Sequence, residues 1–418
     1  MFPLTIIGIP LYDEIYLNDM KVIRDPIHGY IKLDKLTLSL IDSPLMQRLR
    51  RIKQLGLSNL VYPGANHTRF EHSLGVMHLA SMLIERTETV SQEEKDELRV
   101  AALVHDIGHG PYSHATEGLM KYYTRQRHED IKSIIDKTEI TEILHDNGIS
   151  PEKVEAHIKG ETEFGKILNS EIDVDRMDYL VRDSHYTGVA FGLVDHERLI
   201  NEMQFYENSL VLTAGGVKAA ESLLVSRFLM HPSVYFHHVS RIAETMFTRA
   251  VGDMIQRNEL NPFDMRKMDD GEIFGIIRND DEYAGELANR LLNRKLYKRA
   301  LYVGLDEVGE GVLKHRKNIQ RIEVEIAEIV GIDPKEILID VPGQPDISEM
   351  KALVKMNGKM QRLDEVSHVV ATLEHAHRDN WKMGVYTPRE HREKVGKAAR
   401  EFFDVKKVTK QFLLTDLE

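Results

Sequence analysis

The 418-residue chain contains no cysteine. That excludes disulfides, thiolate catalysis, Cys-ligated zinc and iron–sulfur clusters, and leaves histidine and carboxylate as the strong metal ligands. Long apolar runs are also missing: none reaches the roughly 20 residues of a bilayer-spanning helix. The opening MFPLTIIGIPLYDEIYL carries neither a basic leader nor a small-residue cleavage site, so no signal peptide is expected. Positive charge is in deficit, with 55 Lys and Arg against 67 Asp and Glu and a net charge of −12. A broad nucleic-acid surface is therefore not expected, although a locally basic cleft for a small anion is allowed. Internal repeats and low-complexity tracts are absent as well. A cytoplasmic location fits this profile.

What is present reads as an ordinary globular protein, 42% hydrophobic and 29% charged. Residues 3–34 alternate like short strands broken by Pro and Gly. From Thr37 onward the apolar spacing becomes helical, in PLMQRLRRIKQL, TRFEHSLGVMHLASMLIER and KDELRVAALVHDI. Further helices are expected at 128–146, 151–158, 162–170, 171–184, 196–203 and 216–256, with a hairpin at MQFYENSLVLT. LYKRALYVGL and KEILIDVPG add strands later. The reading is mainly α: a helical core over residues 1–260 and a smaller α+β region over 261–418.

The stretch LVHDIGHGPYSH, at 103–114, concentrates three histidines and an aspartate at the end of an apolar run. Buried groups of this kind need hydrogen bonds, ion pairs or a metal. His105 and Asp106 are adjacent, and His109 follows at the spacing that places side chains on one helix face. A second doublet, His145 and Asp146 in LHDNGIS, reads instead as a helix terminus. The first doublet has companions: His72 in RFEHSLG, and Asp173, Asp175, Asp178 and Asp183 in EIDVDRMDYLVRD. Two histidines and two aspartates would suit a divalent ion with positions left for water and substrate. Asp178 reads as part of a solvated helix face with Asp/Arg pairs.

The order H…HD…D resembles the HD-domain metal-dependent phosphohydrolases, whose fold is a helical bundle. More narrowly, DPIHGYIKL, SPLMQRLRRIKQLG, TRFEHSLGV, HDIGHGPYSH, IDVDRMDYLVRD and the segment from Arg227 to His237 resemble the deoxynucleoside triphosphate triphosphohydrolases. The matches run in order over roughly residues 20–240. The resemblance implies the metal ligands His72, His105, Asp106 and Asp175, holding one divalent Mn, Fe, Ni or Zn, with Mg accompanying the substrate phosphates. It implies triphosphate contacts from Arg69, Arg176, Tyr179 and Arg227, with Arg176 standing where vertebrate members have lysine. His109 would contact the α-phosphate, and His114, Glu117 and His128 would form the acid network, Glu117 replacing an aspartate. Taken by itself, His128 in RQRHEDIK reads as an exposed helix-start residue. Gln54, Leu55, Asp183, His231 and Tyr235 would surround the deoxyribose.

The same resemblance implies a GTP or dGTP activator touching Lys21, Val22, Asp42, Gln47 and Arg50, and a dimer or tetramer. Thr213, Gly215 and His238 stand where vertebrate members place basic residues on the activator phosphates. The expected reaction converts a dNTP and water to deoxynucleoside and inorganic triphosphate. Two alternatives stay open: an HD phosphohydrolase for another nucleotide or phosphoester, and a catalytically inactive nucleotide-sensing scaffold. GETEFGK, at 160–166, imitates part of a phosphate loop, but Ile167 replaces the Mg-binding hydroxyl residue and a helix, not a strand, precedes it.

Overall fold

The structure, a computed structural model, describes residues 20–343 and 351–406; the side chains of His114, Glu374, His375, His377, Arg378 and Asp379 fall outside the description. The strands expected before residue 20 also lie outside it. The rest of that region is an antiparallel hairpin of Lys21–Asp25 and Gly29–Leu33, turned by Gly29 at φ +73.

Behind the hairpin the core is helical. Helix Arg69–Glu85 starts with a capping box between Thr68 and Glu71, and buries residues on every side. A helix buried all round belongs at the centre of a bundle. Against it pack Gln92–Val104, capped by Ser91, and Val174–Thr187, capped by Asp173 and closed by Gly188 at φ +75. Their apolar faces, with Leu74, Leu79, Leu98, Leu103, Met177 and Leu180, form the largest hydrophobic cluster.

Three expected helices are interrupted, and the one expected at 128–146 forms only as Lys132–Ile135 and Glu139–Asp146. PLMQRLRRIKQL is helical only over Pro44–Arg48, tightens to a 3-10 turn at Leu49–Arg51 and is extended by Ile52. Tertiary bonds override propensity here: Arg48 turns inward to the carbonyls of Ile107 (2.7 Å), His109 (2.9 Å) and Met268 (2.7 Å). The long helix expected at 216–256 splits into Val217–Met230 and His238–Gln256, separated by a π turn at His231–Tyr235. Pro232 is the cause, since it has no N–H and crowds the carbonyl four residues back. The widened turn aims Tyr235 toward the Val174–Thr187 helix, and π turns of this kind recur at functional sites.

The expected hairpin forms as Met203–Tyr206 and Ser209–Thr213, turned by Glu207 and Asn208 at φ +48 and +60. Leu353–Met356 pairs with it in parallel, so the later part of the chain returns to the core. The α+β appendage is an antiparallel sheet in the order Lys298–Gly304, Lys382–Thr387, Leu338–Asp340, covered by helices Ile319–Val330 and Arg392–Phe402. A second apolar cluster joins Met246, Phe247 and Ala250 to Leu287, Leu291 and Tyr297, tying the two regions together. The 160–166 segment is a loop and 3-10 turn after helix Pro151–Ile158, and no strand precedes it.

Candidate metal centre and adjoining cleft

Helix Gln92–Val104 ends one residue before the histidine–aspartate doublet. His105 and His109 are therefore not on successive turns of one helix, as the spacing implied. Residues 105–109 form tight turns instead, with Ile107 N to Val104 O at 3.1 Å and His109 N to Asp106 O at 3.0 Å. Gly108 permits this path, because a Cβ there would sit 1.9 Å from the His128 carbonyl oxygen.

Three segments converge at the turn. His72 Nε2 lies 2.8 Å from Asp175 Oδ1 and 3.9 Å from Asp106 Oδ2. His105 Nε2 lies 3.4 Å from Asp106 Oδ1 and 3.6 Å from Asp175 Oδ1. Donor atoms of His72, His105 and Asp106 all fall within 4.8 Å of one another. His105 Nδ1 bonds to Ala102 O at 2.8 Å and His72 Nδ1 to Asp178 Oδ2 at 2.7 Å. Both partners are acceptors, so both Nδ1 atoms carry the proton and both Nε2 atoms face the centre. His105 Nε2 is buried with no hydrogen-bond partner. An orphaned imidazole nitrogen beside a second imidazole and two carboxylates fits a divalent cation.

The charges are strongly perturbed. Burial pulls His72 down, but hydrogen bonds to Asp175 and Asp178 outweigh it and hold the imidazole at about 10. Burial opposes ionisation of Asp175, yet His105 and His72 bring it far below the usual carboxylate range. Asp106 is held low against burial by Arg69, His105 and His109. A metal ion at His72 Nε2 would take the place of the proton that the carboxylates favour.

A second arm leads away through His109, whose Nε2 is 3.2 Å from Asp106 and whose ring stacks on His128 at 4.1 Å. His128 Nδ1 meets Glu117 Oε1 at 2.9 Å. Burial works against a charged His128, but Glu117 and Glu129 raise it overall. His128 is thus a partly buried loop residue, not an exposed helix start. His114 is on helix Ser113–Thr124, three residues before Glu117, with its side chain outside the description.

A cleft of about 230 Å³ adjoins the centre, with His105, His128, Asp175, Arg176 and Tyr179 among its walls. Asp175, Tyr179 and Asp183 recur at four-residue steps on one helix, hence on one face. At its far end Tyr235 donates to Asp183 at 2.9 Å, and its ring lies 6.1 Å from that of Tyr179. The Arg227 charge acts on both tyrosines. Arg69 spans Asp106 (2.7 Å) and Ser113 (2.8 Å), while Arg176 bonds to Ser170 O at 2.8 Å and to Asp173. Gln54 accompanies His67 through a backbone bond of 3.0 Å and keeps a buried, unpartnered Oε1. Leu55 is buried beside it, and His231 stacks on Phe236 at 4.1 Å.

The remaining expected residues are mostly exposed. Arg50 bonds to Gln47 (2.9 Å) and covers the Phe70 ring, Gln47 bonds to Ile41 O (2.8 Å), and Asp42, Lys21 and Val22 are exposed. Separately, His238, Arg294, Lys298, Arg299 and Arg392 line a cleft of about 240 Å³ that no carboxylate enters among the described residues.

Sequence reasoning misplaced Asp178 and overlooked His67. Asp178 is fully buried, not solvated, and bonds to His72, His28 and Arg182. Its four-residue spacing from Arg182 did reveal the ion pair, but not that the pair points inward. His67 bonds to Asp183 at 2.7 Å and stacks on Tyr186 at 4.6 Å, and nothing in its local pattern announces this.

Comparison with known proteins agrees with this architecture. Residues 69–183 match the HD domain model and residues 194–414 the HD associated region. A protein of Methanocaldococcus jannaschii without assigned function is 38% identical over 89% of this chain and 80% of its own length. The Homo sapiens deoxynucleoside triphosphate triphosphohydrolase SAMHD1 is 30% identical over 85% of this chain and 66% of its own length. Among solved structures, a hypothetical protein from Aquifex aeolicus has a TM-score of 0.73 at 30% identity, covering 91% of this chain and 100% of that one. A phosphohydrolase from Bacteroides thetaiotaomicron has a TM-score of 0.72 at 25% identity, covering 89% and 100%. With this bundle, this histidine–aspartate centre and these relatives, the chain belongs to the HD-domain phosphohydrolase family.

Proposed function

We propose that this HD phosphohydrolase cleaves dNTPs to deoxynucleoside and inorganic triphosphate. The observation that carries the reading is the order of groups along helix Val174–Thr187: Asp175 at the metal centre, Tyr179 next, then Asp183 bonded to Tyr235. Eight residues of helix span about 12 Å. One face thus presents an ion-binding end and a hydroxyl-binding end, as a ligand with a charged head and a sugar requires. The relatives from Homo sapiens and Dictyostelium discoideum, both named as deoxynucleoside triphosphate triphosphohydrolases, support the same substrate.

His72, His105, Asp106 and Asp175 would hold Mn, Fe, Ni or Zn, with Mg accompanying the phosphates. When bound, such an ion polarises a phosphoryl oxygen and lowers the pKa of water. The protein's own groups supply the rest. Arg69, Arg176 and Arg227 neutralise phosphate oxygens, a task suited to the planar guanidinium fork; Arg176 first exchanges Asp173 for substrate. His109 contacts the α-phosphate. Glu117 bonds to His128 and favours its charged form, and His114 passes a proton to the departing 5′ oxygen. Asp183 and Gln54 receive the 3′-hydroxyl, while Leu55, His231 and the Tyr235 ring close the space beside the sugar. With His109 on the α-phosphate and His114 as the acid for the 5′ oxygen, the bond proposed to break is the one between the α-phosphorus and the 5′ oxygen.

Guanine nucleotide would act as activator at Lys21, Val22, Asp42, Gln47 and Arg50 in a dimer or tetramer. A product assay tests the whole reading: each dNTP with purified protein, with and without GTP, in several divalent metals. Triphosphate release is expected. Failure with every dNTP, alongside turnover of another phosphoester, would favour the broader phosphohydrolase alternative.

A further inference from the structure

We infer that Asp178, backed by His28 and Arg182, is a positioning residue that fixes His72 in the tautomer and orientation needed for metal binding. The inference rests on the metal reading of the centre.

Asp178 accepts four hydrogen bonds. His72 Nδ1 donates to Oδ2 at 2.7 Å and His28 Nε2 donates to Oδ1 at 2.6 Å. Arg182 adds Nε to Oδ2 and Nη2 to Oδ1, both at 2.9 Å. His28, His72, Asp178 and Arg182 side chains are all at most 2% exposed. Two imidazoles and a guanidinium thus fill the acceptor sites of the carboxylate.

The surroundings are arranged for this contact. Asp25 accepts from Arg182 at 2.8 Å and from the backbone N–H groups of Ile27 and His28 at 2.9 Å each. One aspartate therefore shapes the turn that carries His28 and anchors the arginine behind Asp178. On the opposite side the His72 helix has a glycine: a Cβ at Gly75 would lie 1.8 Å from Asp178 Oδ1. Only an unsubstituted backbone lets the carboxylate reach the ring one turn before it.

A pair that merely held the helices together would gain little over apolar packing of equal volume, since desolvation consumes most of the Coulombic attraction. The share given to His72 has a distinct consequence. A carboxylate on Nδ1–H leaves Nε2 as the ligand atom, restricts ring rotation and raises the ring's basicity toward a cation. His28 supports the carboxylate through the oxygen that His72 does not use.

The test is metal affinity, measured by titrating the metal-free full-length chain with Co(II) and following its d–d absorption. Asp178→Asn is expected to weaken binding by about 10- to 100-fold, the usual effect of removing such a support. His28→Ala is expected to weaken it in the same direction, and His28→Gln, whose amide N–H can replace Nε2–H, to restore most of the loss. Wild-type affinity in folded Asp178→Asn or His28→Ala would overturn the inference. Absence of Co(II) binding by the wild type would instead overturn the metal reading beneath it. Should the variants not fold, ¹⁵N-histidine spectra of the zinc-loaded wild type decide: Nδ1 of His72 is expected to carry the proton, and a metal-bound Nδ1 would refute the role.

Discussion

Replacing Gly75 by alanine adds one methyl group in the middle of a helix, a change that normally stabilises by about 0.5–1 kcal/mol. Here the opposite is expected. The new Cβ would lie 1.8 Å from Asp178 Oδ1, 2.6 Å from its Cγ and 2.5 Å from an Arg182 nitrogen. The Asp178 side chain is short and bonded on both oxygens, so it cannot swing aside without leaving partners behind. Overpacking alone costs about 1–3 kcal/mol. Displacing one member of a buried ion pair costs about 3–5 kcal/mol. Taken together and less the helix gain, the net loss is about 3–7 kcal/mol, a large share of the roughly 5–15 kcal/mol of a typical domain. Gly252→Ala is the matched control: it is also mid-helix, and its Cβ would meet only Leu119 at an ordinary 3.9 Å. Denaturant unfolding followed by circular dichroism should show Gly75→Ala falling and Gly252→Ala unchanged or rising. A Gly75→Ala protein as stable as wild type would refute the argument that the carboxylate is pinned.

Asp106→Ala is expected to abolish turnover and metal binding while leaving the helical circular dichroism spectrum largely intact; residual turnover above a few per cent would count against a metal centre there. Asp183→Asn should raise KM for dNTPs more than it lowers kcat, because its partners His67 and Tyr235 mark the sugar end and not the reacting bond; steady-state kinetics reads the split. Glu244 gives a pH-dependent stability. Burial raises it to about 7 despite Arg241 on its own helix, with Asp340 of the adjoining strand adding to the rise. A carboxyl raised on folding is protonated in the native state, so its stability contribution is present below about 4.5 and is lost as pH climbs to about 7. Glu244→Gln should remove a cost of about 3 kcal/mol at pH 8 and almost none at pH 4.5, a difference melting curves at the two pH values would show. An equal shift at both would contradict the assignment.

The site was more legible than the path of the chain through it. His105 and Asp106 stood out as a doublet, the family resemblance singled out His72 and Asp175, and the structure brings all four together. Their support did not. Asp178 looks like any charged residue four positions from an arginine, because sequence spacing gives the face and not whether that face meets solvent or another helix. Local geometry was likewise hidden: the turn at 105–109 depends on Gly108 admitting the His128 backbone, a long-range contact no local pattern encodes. Pro232 does signal a break, yet the apolar spacing on either side of it reads as one continuous helix. Arg48 shows the same limit, since the inward bonds that end its helix lie 59, 61 and 220 residues away.

Hydrolysis of a dNTP in H₂¹⁸O tests the proposed reaction most directly. Attack at the α-phosphorus places the label in released triphosphate and leaves the deoxynucleoside unlabelled. Release of orthophosphate or pyrophosphate as the primary product, or label in the nucleoside 5′-hydroxyl, would contradict the account.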